Sequence, residues 1–113
     1  MTVLPNTRYR TVFYALTNGT KTDVYTVPTG VWAEIINVNV CASAGAAGTC
    51  TIASYDLSAT TEYVYTYRDA VPAAGSLDIP CYPIHLEAGD ILRATGAAGQ
   101  HLTITMIEVG RGA

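Results

Sequence analysis

The chain has 113 residues, half of them hydrophobic, a mean hydropathy of +0.25 and a formal net charge of −3. That length holds one core, since two would leave each half marginal, and the composition excludes a disordered chain. Charged residues make up only 13%, against about 25% in an ordinary soluble domain; Thr, Ser, Asn, Tyr and neighbouring subunits are therefore expected to cover surface that charge usually covers.

In chain order, Met1 to Arg10 has no hydrophobic signal core, which reads as a product made in the cytoplasm. No segment carries a helical apolar stripe. Short runs rich in Val, Ile, Thr and Tyr recur instead, separated by Gly, Pro and Asp. They predict strands near Arg8–Leu16, Thr22–Val27, Trp32–Cys41, Thr49–Leu57, Glu62–Asp69, Leu77–Ile79, Ile84–Leu86, Ile91–Thr95 and Leu102–Val109. The fold class expected is all-β, an antiparallel β-sandwich of jelly-roll type with eight or nine short strands and no substantial helix.

The turns between these strands have local causes. Asn18-Gly19 accepts the positive φ of a tight hairpin. Pro28-Thr29-Gly30 removes an amide donor and then reverses at glycine, and Pro72 to Gly75 repeats the device. Glu87-Ala88-Gly89-Asp90 reads as a charged turn that keeps an edge wet. Ala42 to Gly48 and Gly96 to Gly99 are loops almost without polar side chains. Flexible surface loops fit this pattern, and so do loops pressed against another subunit, which would make Ala44, Ala46, Ala47, Ala97 and Ala98 contact residues. Alternation assigns Ile36, Val38 and Val40 to one face of the third strand, with Asn37 and Asn39 on the other. In the last strand Leu102, Ile104 and Met106 share a face. The pairs Ile35-Ile36 and Met106-Ile107 break the pattern, which a bulge or burial of both faces would explain.

Candidate sites are few. Tyr63, Tyr65 and Tyr67 alternate, placing three rings on one face, either as cross-strand packing or as an aromatic contact surface for a protein or a sugar. Trp32, beside the Pro28–Gly30 turn, reads as a plug at the end of the core, with a ligand platform as the alternative. Cys41, Cys50 and Cys81 do not make an even disulfide framework. They read as small buried hydrophobes, and a Cys41–Cys50 bridge across a hairpin is the alternative. His85 and His101 share no metal-ligand spacing with each other or with a cysteine, and Asp56, Asp69, Asp78 and Asp90 match no calcium loop. No nucleophile motif surrounds a Ser or Cys. No catalytic, cofactor or metal residue is therefore predicted, and the chain is not expected to be an enzyme. Its charges are scattered singly, so no basic stripe calls for nucleic acid, and no apolar run is long enough to span a bilayer.

Two stretches resemble small β-sandwich proteins of tailed-phage virions, a group that includes capsid decoration (cement) proteins and head- or tail-fibre modules. One runs Thr22-Asp23-Val24-Tyr25-Thr26-Val27-Pro28-Thr29-Gly30 into Glu34 to Cys41. The other is Ile84-His85-Leu86-Glu87-Ala88-Gly89-Asp90-Ile91-Leu92, followed by a small-residue loop and Leu102 to Thr105. The resemblance covers residues 22–108, within a sandwich domain of 22–113, and leaves 1–21 as an extra strand or docking arm. It implies a virion protein on the capsid surface, without cofactor. Its partners would be the major capsid protein or other virion proteins and further copies of itself, a trimer foremost. The implied role is to bridge capsomers against the pressure of packaged DNA. A neck, tail or fibre component is the alternative within the virion, and a carbohydrate-binding module is the alternative outside that class.

Overall fold

The computed structural model describes residues 6–16, 20–42, 48–71, 75–79 and 84–110, without the side chains of residues 6, 66–70 and 79. Among them run nine strands: β1 (Asn6–Ala15), β2 (Thr22–Thr26), β3 (Val31–Ala42), β4 (Gly48–Asp56), β5 (Thr61–Val71), β6 (Ser76–Ile79), β7 (Ile84–Leu86), β8 (Ile91–Gly96) and β9 (Gln100–Gly110). Each lies within a residue or two of its predicted run. No helix interrupts them in the described residues.

The strands form two antiparallel sheets, one in the order β1-β9-β3-β6 with β7 also on β3, the other in the order β2-β8-β4-β5. Early strands alternate between the sheets, and the late strands β8 and β9 insert between them. Apart from β4–β5, the pairings join segments that are not neighbours in sequence, as the wrapping of a jelly roll requires. Inward side chains from both sheets make one core, with Ile35, Val38 and Val40 from β3, Ile52 from β4, Leu92 from β8 and Ile104 from β9 fully buried.

Two turns show their chemistry directly. Gly30 has φ +77°, and the Val31 amide donates to the Pro28 carbonyl across it at 3.2 Å. Gly89 has φ +90° in the turn before β8. The charged-turn reading there needs correction. Asp90 is buried, its Oδ1 accepting from the Leu57 amide (3.1 Å) and its Oδ2 from the Glu87 amide (2.9 Å). It ties the β4–β5 turn to the β7–β8 turn rather than wetting an edge.

The assignment of Ile36 to the core is also corrected. The β3–β9 register gains one residue on β3 between Ile35 and Asn37, which is the bulge anticipated there. Ile35 takes the core position, and the extra residue, Ile36, is turned out and 41% exposed. In β9 no break occurs at Met106-Ile107. Alternation continues, with Met106 buried, Ile107 half-buried and Glu108 buried. The inward residue after Met106 is a carboxylate, so hydrophobicity alone hides the pattern.

Candidate functional site

Register and burial together define the outer face of the five-stranded sheet. Arg8 and Arg10 reach the buried Glu108, and Val12 and Tyr14 pack against the core. The intervening residues Tyr9, Thr11 and Phe13 must therefore point outward. Pairing across β9 and β3 extends them into rows: Tyr9, Ile107 and Glu34; Thr11, Thr105 and Asn37; Phe13, Thr103 and Asn39. Within these rows Glu34 is the one carboxylate, 3.8 Å from His85, and the third row continues onto β6 at Asp78, which accepts from Asn39 Nδ2 at 2.9 Å. Tyr9 and Phe13 are 78% and 74% exposed.

The opposite outer face, on the four-stranded sheet, is built differently. Arg93 donates to Asp23 (2.8 Å) and Glu62 (3.3 Å), and Lys21 donates to Glu62 (2.8 Å). The Arg93 guanidinium also lies 4.7 Å from the centre of the Tyr55 ring. Hydrogen bonding from Lys21, helped by Arg93, holds the Glu62 carboxyl below its ordinary range, against the opposing effect of desolvation. Among the described residues this face carries a linked network of four charges, whereas the middle rows of the other face present mainly threonine, asparagine and bare aromatic rings.

A buried cluster fixes the outer face of the five-stranded sheet from behind. Glu108 is 2% exposed. Its Oε1 accepts from Arg8 Nε (2.7 Å), and its Oε2 accepts from Arg10 Nη1 (3.1 Å) and from the Tyr25 hydroxyl. Burial works hardest on this group and favours the neutral acid. The hydrogen bonds from Tyr25, Arg8 and Arg10 together outweigh it and keep the carboxyl below its ordinary pKa. The Tyr25 hydroxyl is pushed the other way, by its own burial and then by its bond to the carboxylate. The cluster ties β1 to β9 and, through Tyr25, to the opposite sheet. Sequence reasoning missed it because Arg8, Arg10, Tyr25 and Glu108 are strangers in sequence. The one available signal was a glutamate at an inward position of an alternating strand.

The other candidate residues fall in several places. Tyr63 and Tyr65 lie on β5, an edge strand, and both are exposed. The β4–β5 register gains an extra β5 residue at Tyr65 and another between Thr66 and Asp69. Tyr65 shares a hydrogen bond with Ser54 Oγ at 2.6 Å. The side chain of Tyr67 lies outside the described residues, as do Ala44, Ala46, Ala47 and Cys81. Ala98 is exposed and Ala97 half-buried in a turn closed by Gln100, whose amide donates to the Ala97 carbonyl and whose Oε1 accepts from the Ala97 amide (both 3.2 Å). A methyl group at Gly48 would come within 3.1 Å of Ala97 Cβ, so the end of the first small-residue loop abuts the second.

Trp32 is not a core plug. It is 44% exposed and lines an open groove of about 850 Å³ with Asp56, Ser58, His85 and Glu87. Cys41 is exposed, which corrects its reading as a buried hydrophobe, whereas Cys50 is buried. The two lie on strands of opposite sheets, and no bridge joins them. Among the described residues no group of three or more His, Cys, Asp or Glu is placed to hold a metal ion, and no helix is long and apolar enough to cross a membrane.

No protein-family model matches the chain, and no curated protein matches it. Solved structures do share its fold. A subunit from the work "Bacillus endospore appendages form a novel family of disulfide-linked pili" superposes with a TM-score of 0.54 at 14% identity, covering 97% of this chain and 91% of that one. A protein of the T13 particle of infectious bursal disease virus gives 0.53 at 8% identity, over 95% of this chain but 36% of that one. This chain thus spans about a third of that viral protein. The extra small virus of the prawn Macrobrachium rosenbergii supplies a third, at 0.51 and 12% identity, over 100% and 84%. At such identities the likeness is one of fold. The chain is an all-β jelly-roll sandwich, of a kind found in viral particles and in a pilus.

Proposed function

We propose that this chain is a structural, non-enzymatic virion protein, and specifically a capsid decoration protein that seats on the outer major-capsid lattice and braces the head against DNA pressure. The observation that carries this reading is the outer face of the five-stranded sheet, where Tyr9, Phe13 and Ile36 are exposed among threonines and asparagines. Aromatic rings on a charge-poor field suit the centre of a protein interface, where charged residues are depleted. A jelly-roll fold shared with particle-forming proteins supports the reading, as does the phage-virion resemblance of residues 22–108. Copies that each touch more than one lattice subunit need little affinity per contact.

The test is the number of copies of this chain in a purified particle and the behaviour of particles lacking it. Hundreds of copies, with earlier DNA loss on heating or osmotic shock in their absence, are expected. A few to a few dozen copies would instead make it a neck, tail or fibre component. Unchanged particle stability and morphology would sink the decoration reading.

A second reading has its own observation. Trp32 stands in the groove beside Asp56 and Glu87, an aromatic platform flanked by carboxylates, which is the chemistry of a saccharide site. Trp32 is the sole tryptophan, so its fluorescence reports groove occupancy directly. Emission that does not respond to any member of a saccharide panel at millimolar concentration would dismiss this reading.

A further inference from the structure

Among the described residues, every sheet edge but that of β1 is short or bulged. Strand β2 has five residues and a register shift between Asp23 and Tyr25. Strand β5 carries two bulges. Strands β6 and β7 have only four and three residues. Short, bulged edges are the usual protection against pairing with another chain. Strand β1 is neither short nor bulged, and its two charges, Arg8 and Arg10, are tied to Glu108 behind the sheet. It runs for ten residues against β9 without a register shift, contains no proline or lysine, and no described strand pairs with its other side.

The direction of its free backbone groups follows from one bond. The Leu16 amide donates to the Gln100 carbonyl at 2.8 Å, directly opposite in the continued β1–β9 register. Hydrogen-bonded pairs alternate in an antiparallel ladder, so the even-numbered residues of β1 bond to β9. The amides and carbonyls of Thr7, Tyr9, Thr11, Phe13 and Ala15 therefore face away from it, along the open edge.

The geometry points to isologous pairing of β1 with β1 of a second copy, antiparallel about a two-fold axis at Thr11. This deepens the assembly reading above by naming its self-contact. In that register each open-edge residue meets another open-edge residue, so donors and acceptors match. Tyr9 faces Phe13 of the partner subunit, and Phe13 faces the partner's Tyr9, giving two aromatic cross-strand pairs on the outer face. Arg10 meets Val12 and Arg8 meets Tyr14, so no like charges oppose. Centring on Arg10 would set guanidinium against guanidinium, and centring on Val12 would put Tyr9 opposite Ala15 and lose the aromatic pairs. The partner is a second copy because the strand is complementary to itself in this register. The aromatic and threonine rows then continue across both subunits. A two-fold contact gives dimers, not the trimer that the phage resemblance implies.

Sedimentation of the full chain across a concentration series, with Thr11→Pro, Thr11→Lys and Val12→Pro, tests this. The wild type should show a concentration-dependent dimer. Thr11→Pro removes an amide that β9 does not use, so it should keep the wild-type circular dichroism. By symmetry it loses two hydrogen bonds per pair and should weaken the dimer about thirty-fold. Val12→Pro removes an amide bonded to β9 and should lower stability. If Thr11→Pro does not fold, Thr11→Lys gives the same reading, since two lysines would face each other across the axis. A wild type that stays monomeric, a dimer or trimer untouched at Thr11, or open-ended polymers would each overturn the pairing. A chain that dimerises through β1 but is absent from particles would overturn the virion reading alone. A monomer present on particles in many copies would overturn the pairing alone.

Discussion

Replacing Glu108 with glutamine tests how the outer face is held. The amide keeps the volume and an acceptor for Tyr25, but removes the charge that Arg8 and Arg10 share. Hydrogen bonds to a charged group contribute about 1.5–3 kcal/mol each. The two guanidinium side chains are 67% and 42% exposed, so they recover hydration and their share falls to about 0–1 kcal/mol apiece. Weakening of the buried Tyr25 bond adds to this, for a loss of about 2 kcal/mol in Glu108→Gln. Glu108→Ala also leaves the Tyr25 hydroxyl without an acceptor, and about 4 kcal/mol is expected. Urea unfolding at pH 7 measures both, with an unchanged m-value showing that the denatured state is the same. The pH dependence supplies the sign. The carboxyl is held below its ordinary value in the folded state, so its stabilisation is complete above about pH 4.3 and disappears as pH falls through the lower folded-state value. Wild type and Glu108→Gln should therefore converge in acid. Equal midpoints at pH 7, or a gap that persists unchanged to about pH 2, would refute the view that this charge cluster anchors β1.

Three other outcomes follow from the packing. Asp90→Ala leaves the Leu57 and Glu87 amides without their acceptor and should cost about 2–4 kcal/mol; hydrogen exchange at those two amides should accelerate more than elsewhere. Gly89→Ala forces a side chain into φ +90° and within 2.6 Å of Leu57 Cδ2, a loss of at least about 1 kcal/mol by thermal melting. Cys41 should alkylate in the native protein and Cys50 only after unfolding, as their exposures differ; peptide mapping that finds native labelling of Cys50 at the Cys41 rate would contradict the sheet assignment.

The strand runs were legible in the chain because β-branched and aromatic residues, turn glycines and period-two alternation are local properties. So was the shortage of charge, which set the expectation of an assembly surface. Tertiary structure alone decided which face is left poor in charge. Which side of β1 faces out depends on Glu108, nearly a hundred residues away, and no local rule connects a glutamate in the last strand to two arginines in the first. The exposure of Ile36 depends on the β9 register that creates the bulge. The tyrosines of β5 formed the most conspicuous sequence pattern, and only the pairing with β4 shows the register shifts among them. Tyr9 and Phe13 carry no local signal, because whether a strand lies at an edge, and which side of it is open, is a property of the whole sheet.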